Sequence, residues 1–232
     1  MAFQDFITAQ QRNLESALKS ELFGDTCPLM DKLYELSVAT VTKDKSPFFG
    51  QFLLVCHKSF LAAATLIGQG QPDDSAPITR RAIEVVRLAA AIKVDPKFAK
   101  EWLAYEKRQE RWDARDKGEK PKSLHIPVPV THPLVKQLMD TWGIFSDGEV
   151  HFTPEYFGSL GWEKGDDRMF LQYFTGDQRT IEAAIVLLLG AHMMMLRVLD
   201  ECLDGSFTRS DAWREISDQL YVRAKPWADK LE

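Results

Sequence analysis

The chain has 232 residues, of which 45% are hydrophobic and 27% charged, with a formal net charge of −5 and a pI of about 5.6. That composition suits one large or two small folded domains and excludes a disordered chain. The acidic balance gives no global attraction to nucleic acid or to an anionic membrane.

The first residues, MAFQDFITAQQRNLESALKS, lack a basic region followed by a continuous apolar one, so no secretion leader is expected. Residues 2–23 read as an amphipathic helix with Phe3, Phe6, Ile7, Leu14, Ala17, Leu18 and Leu22 on one side, stopped at Gly24. A second helix opens at Cys27-Pro28, runs through Met30, Leu33, Tyr34, Ser37, Val38 and Val41, and ends near Lys43-Asp44-Lys45. Both are assigned to the periphery, as residues 2–44. Ser46-Pro47 is a cap and first-turn pair for a third helix, from 47 to about 67. It is apolar on nearly every side.

After a loop over 68–75, a helix starts near Ser75-Ala76-Pro77 with Ile78, Ala82, Val85, Ala89 and Ile92 as its apolar line. Arg80, Glu84 and Arg87 fall on the opposite side as a solvated ion-pair row. Arg81 projects within about 60° of the centre of the apolar line. An arginine there has to snorkel, pair with a carboxylate or face a site. Asp95-Pro96 opens another helix, with Phe98, Trp102, Tyr105 and Trp112 aligned. Mixed charge from 106 to 122 reads as a solvated helix end. The prolines of 123–132 exclude a helix there. Thr131-His132-Pro133 then opens a helix through Val135, Leu138, Met139 and Trp142 that ends at or soon after Gly143.

Aromatic segments 156–162 and 168–174 around Glu163-Lys164-Gly165-Asp166-Asp167 predict a β-hairpin. The segment 177–204, DQRTIEAAIVLLLGAHMMMLRVLDECLD, follows. Ala183 to Leu196 carries no charge, but the run is read as too short to cross a bilayer. Ile181, Ile185, Leu188, His192, Met195, Leu199 and Leu203 form one stripe. The other side is polar only at its ends and apolar at Val186, Gly190 and Met193. A helix of this kind is one the fold surrounds. Ser210 caps a last helix over 210–231, with Ala212, Trp213, Ile216, Leu220 and Tyr221 buried. The expected fold is therefore mainly α. It is a single domain over 1–232, a multi-helix bundle around a buried central helix (177–204), with a hairpin insertion at about 156–174.

Nucleotide-binding glycine motifs, zinc-protease helices, nucleophile elbows and calcium loops are absent. Cys27, Cys56 and Cys202 are odd in number and widely spaced, which suits reduced structural thiols in a cytoplasm. His125, His132 and His151, with Asp147 and Glu149, do not form a recognised ligand spacing, so neither metal nor cofactor is assigned. His192, on the apolar stripe, reads as a neutral core histidine. The most unusual polar cluster is Ser146 to His151, SDGEVH. Ser146 and Asp147 suit a cap or turn. His151, oriented by a nearby acid or hydroxyl, suits a general acid/base, with Arg81 supplying positive charge for a phosphate.

Three features come in order: an apolar helix carrying Arg80-Arg81-x-x-Glu84, a Asp95-Pro96 start to an aromatic helix, and a helix ending in Ser146-x-x-x-Val150-His151. This order resembles a group of bacterial helical proteins that are distantly similar to the HEPN superfamily, over about residues 50–200. The resemblance implies a dimer of helical bundles. In active HEPN members it implies metal-independent cleavage of RNA by an arginine placed one to two turns ahead of a histidine. Carried over, His151 is the motif histidine, Arg81 and Arg80 are phosphate binders, and Glu84 and Ser146 belong to the same set. Ser146, five residues before His151, stands where the motif arginine belongs. The residues thus support three functional expectations. The first is a non-catalytic interaction or regulatory module acting as a homodimer, without a membrane. The second is a HEPN-like ribonuclease or toxin-type enzyme acting on RNA. The third is a small-molecule pocket among the hairpin aromatics, Trp102 and Trp142.

Overall fold

The computed structural model describes residues 3–44, 47–103, 112–119, 133–147, 174–175 and 177–231. Among these residues there are nine helices and no strand. They are α1 (Phe3–Leu18), α2 (Glu21–Asp44), α3 (Pro47–Gly68), α4 (Pro72–Val94), α5 (Pro96–Leu103), α6 (112–116), α7 (Pro133–Asp147), α8 (Gln178–Cys202) and α9 (Asp211–Ala228). The expected hairpin, apart from Phe174, lies outside the described residues.

α3 and α4 form the most extensive helix pair, and α8 packs across both. α2 is laid against α3, α8 and α9, while α7 covers α4 and α8. The core is continuous, from Met30, Leu33 and Tyr34 on α2 through Phe60 and Ile67 on α3 and Ile83 on α4 to Ile185, Leu188 and Met195 on α8. Each such large side chain removed from water contributes about 1.5–3 kcal/mol.

The first two helices meet earlier than their pattern suggests. α1 stops at Leu18, and Ser20 starts α2 by accepting a hydrogen bond from the N–H of Phe23 at 3.3 Å. α2 then runs through both Gly24 and Pro28. Gly24 is therefore a helix-interior residue and not a stop. A Cβ there would sit 2.5 Å from the carbonyl oxygen of Leu18, so the missing side chain lets the two helices approach. The N-terminal pair also divides in its burial. α1 contributes no fully buried residue, whereas Met30, Leu33 and Tyr34 of α2 are completely enclosed. The assignment of residues 2–44 to the periphery therefore fails for α2.

α4 begins at Pro72, one turn before the expected start. Pro72 stands in the first turn with Asp73 and Asp74, whose charge suits a helix N-terminus. Gly70, at φ +85°, makes the turn between α3 and α4, and its carbonyl accepts from the N–H of Thr175 at 2.8 Å. This bond ties the approach to α8 to that turn. Asp177 then caps α8, accepting from the N–H groups of Arg179 and Thr180. At the other end Asp200 is buried, although its helical position groups it with the polar residues. Its Oδ1 accepts from the N–H of Phe207 at 2.6 Å, and its Oδ2 accepts from the hydroxyl of Thr208 at 2.8 Å. The carboxylate thus closes the turn into α9, where Ser210 is the cap.

Length and composition correct one further expectation. Residues Phe48–Gly68 and Gln178–Cys202 are each long and apolar enough, by length and composition, to cross a bilayer, whereas the uncharged run within the second is expected to be too short. Both pack into the bundle and touch one another, yet less than half of each apolar window is buried.

Glycine-to-alanine changes inside helices ordinarily stabilise by up to about 1 kcal/mol. Gly24→Ala is expected to do the reverse, lowering stability by about 1–3 kcal/mol, because the new methyl meets backbone that cannot swing aside. Urea unfolding followed by circular dichroism reads the sign. A gain in stability would show that α1 and α2 do not make this approach.

Candidate functional site

The residues singled out by sequence do not meet in one place among the described residues. His151 lies outside them, as do His125 and His132. Ser146 falls in the last turn of α7, with its side chain outside the description. Arg81 is exposed, and Arg80 pairs with Glu84 along the helix at 3.4 Å. Of the expected line on α4, Ala82, Ala89 and Ile92 are buried, but Ile78 and Val85 are only half-buried. Thr79, Ile83 and Val86 are buried beside them, which rotates the buried face by most of one residue step of about 100°. That rotation turns Arg81 to solvent and Arg87 inward. Arg87 is half-buried, its Nε has no hydrogen-bond partner among the described residues, and burial lowers its pKa. Trp102 is half-buried and meets Phe52 edge-on at 6.4 Å, while the Trp142 side chain lies outside the described residues.

The structure assembles a different polar group, between α2, α3 and α8. The hydroxyl of Tyr34 and the Nδ1 of His192 are 2.5 Å apart, and both residues are completely buried. His57 stacks on Tyr34, with ring centres 5.1 Å apart and planes 9° from parallel. Its Nε2 lies 2.5 Å from Oδ1 of Asp31. Phe60 meets the imidazole of His192 edge-on at 5.3 Å. Burial pushes the His192 pKa down from 6.5 to about 3, with the nearby His57 adding to the effect, so the ring is neutral. Burial also raises Tyr34 well above its usual value, so the phenol keeps its proton. With that proton donated to Nδ1, the His192 Nε2 carries the other hydrogen, and it has no partner among the described residues.

This group has the parts of a catalytic relay, but among the described residues no reactive thiol stands beside it. Asp31 and His57 could orient one another, but the thiol on the same helix, Cys56, is buried, directed at the carbonyl of Ala82 and pushed up to about 12. A protonated, enclosed thiol is not a nucleophile. Cys27 and Cys202 are also buried, free and pushed up to about 12 by burial. The Tyr34–His192 pair is better described as a polar clamp. Trp213 makes a second one, its Nε1 donating to the hydroxyl of Ser37 at 3.0 Å.

Among the described residues, open recesses flank the bundle, two of them with polar rims. One, of about 270 Å³, lies between α1 and the start of α8, rimmed by Asn13, Ser16 and Glu182 over Phe23 and Ile185. The other, of about 610 Å³, lies beside Lys93, Asp204 and Arg209. There Lys93 is engaged by the Asp204 carboxylate at 2.8 Å, and Arg209 donates to the Asp204 carbonyl at 2.8 Å. Its cations are thus already paired.

The outer side of α8 is only partly covered by the described residues, and Val186, Leu187, Met193 and Met194 pack against the edge of the core. Ala183, Val186, Leu187, Met193 and Met194 are half-buried and Gly190 is exposed. No described residue would come within 4 Å of a side chain at Gly190. Among the described residues, the expectation of a helix buried on all sides therefore holds for only one of its faces. Arg179 and Arg197 are exposed at the two ends of this strip.

A buried neutral histidine sets a pH dependence. The folded-state value lies below the unfolded one, so between about 3 and 6.5 the unfolded chain holds the extra proton. The contribution is complete above 6.5 and is lost as pH falls. The expected slope approaches about 1.4 kcal/mol per pH unit below pH 6. His192→Asn, which keeps an acceptor near the Tyr34 hydroxyl, should flatten it, and Tyr34→Phe should cost about 1–3 kcal/mol at neutral pH. Urea midpoints across this range measure both effects. Equal slopes in parent and His192→Asn would contradict the assignment.

Comparison of the chain with protein-family models, with curated proteins and with solved structures found no match.

Proposed function

We propose that the chain is a non-catalytic helical interaction module that acts as a homodimer, with a regulatory rather than a chemical role, in the cytoplasm. The observation that supports this reading is the outer face of α8. Over Ala183, Val186, Leu187, Gly190, Met193 and Met194 it is uncharged, and the described residues cover it only in part. Apolar surface at the middle of a bundle's longest helix favours a partner, because leaving it in water forgoes about 25 cal/mol for each Å². Unbranched methionines suit such a contact, since they adapt their shape to what they meet. The thiols and the buried imidazole fit the same reading. They are enclosed and unreactive, and they serve packing.

Light scattering tests it. The parent is expected at twice the 26.5 kDa protomer mass, and Met193→Glu is expected to weaken association roughly a hundredfold by placing a charge in the contact. Because Met193 is only half-buried, the variant should keep its helical spectrum. A parent that stays at the protomer mass at its highest soluble concentration would remove the reading.

A further inference from the structure

We infer that two copies associate by laying α8 against α8 of the partner, antiparallel, about a twofold axis at Gly190. The inference rests on the self-association reading above and gives it a register. Along the outer side of α8, Arg179, Ala183, Val186, Gly190, Met193 and Arg197 recur at alternating steps of four and three residues. Such a stripe repeats every 3.5 residues, which is the pattern of two helices crossing at a shallow angle of about 20°.

Charge supplies the direction. Arg179 lies eleven residues before Gly190, and Glu201 lies eleven after it. An antiparallel pair centred on Gly190 therefore sets Arg179 opposite Glu201 of the partner subunit. The same pairing sets Glu182, eight residues before the centre, beside Arg197 of the partner subunit, seven after it. Each contact occurs twice by symmetry. Arg179, Arg197 and Glu201 are exposed, and Glu201 is also engaged within its own chain, so its contact across the pair would be shared with that one. Glu182 is half-buried and accepts from Gln178 at 3.1 Å, a local bond that leaves its second oxygen for an arginine. A parallel pair would instead set arginine on arginine and glutamate on glutamate, which is repulsive at both ends.

The apolar middle follows the same register, with Val186 opposite Met194 of the partner subunit and Leu187 opposite Met193 of the partner subunit. Gly190 then meets its own symmetry mate. A glycine inside a helix costs about 1 kcal/mol relative to alanine, and no described contact within the chain requires one there. A second backbone at that point makes use of the absent side chain. The outer charges stand about 16 Å from the axis at 1.5 Å per residue. A crossing near 20° keeps them within reach of one another, and one near 50° does not.

Two experiments test the register on the full chain. Gly190→Cys places a thiol on the axis, while the native cysteines are buried. Mild oxidation should give a disulfide-linked dimer on a non-reducing gel. Arg179→Glu and Glu201→Arg should each weaken the dimer about tenfold in sedimentation equilibrium, and the double variant should recover the parent affinity. A dimer that persists with no crosslink and no recovery would overturn the register while leaving self-association in place. A parent that is monomeric would overturn both, as would a monomer that co-sediments with phosphatidylcholine vesicles through this face.

Discussion

The bond between Tyr34 and His192 is the constraint around which the bundle is arranged. A phenol and an imidazole taken out of water each cost a few kcal/mol unless they find a partner. Here the phenol and the imidazole Nδ1 are partners, 2.5 Å apart in a fully enclosed site, while Nε2 has no partner among the described residues. That requirement sets the rotation of α2 and of α8 about their own axes, which apolar packing alone leaves loose. Phe60 and His57 then cover the two rings, so α3 is placed by the same pair. The Ser37–Trp213 bond, one turn further along α2, extends the scheme to α9. Surface pairs such as Arg223–Asp25, at 2.8 Å, add little by comparison because both partners remain half in water.

Fixing the rotation of α8 also decides what it leaves outside. Once His192, Met195 and Leu199 point inward, Gly190, Met193 and Arg197 point outward. The interior of the fold and its proposed contact surface are therefore two sides of one helix, linked by its pitch. A change that rotated α8 to enclose the methionines would expose the histidine. The helix cannot serve the core better without giving up the surface.

Much of this was legible in the sequence wherever the information was local. Asp177 and Ser210 announced their helices because a cap is a relation between neighbours. The inward stripe through Ile185, Leu188, His192 and Met195 was legible because its period is unambiguous. α4 was misread because it is rich in alanine. With Ala82, Ala89, Ala90 and Ala91 on several sides, two stripes about 100° apart fit almost equally well, and the choice between them moved Arg81 from solvent to the interior. Gly24 was taken as a stop because its reason, the Leu18 carbonyl, depends on how α1 approaches. His192 was read as a neutral core histidine, but its partner was not legible. Tyr34 is 158 residues away, and nothing in a tyrosine on an apolar face names the atom it will meet. The same holds for Asp31 with His57, which come from different helices.

That separation has a consequence for the order in which the protein is made. Tyr34 leaves the ribosome long before His192, and Ser37 precedes Trp213 by 176 residues. At about 5–20 residues per second, α2 waits roughly 8–30 s for the groups that complete its buried face. In that interval α1 to α4 can collapse together through their apolar surfaces, but the hydroxyl that sets the rotation of α2 has no native acceptor. The nascent chain is therefore held short of its final packing by chemistry rather than by length. Segments that emerge later fix the orientation of one that emerged well before them.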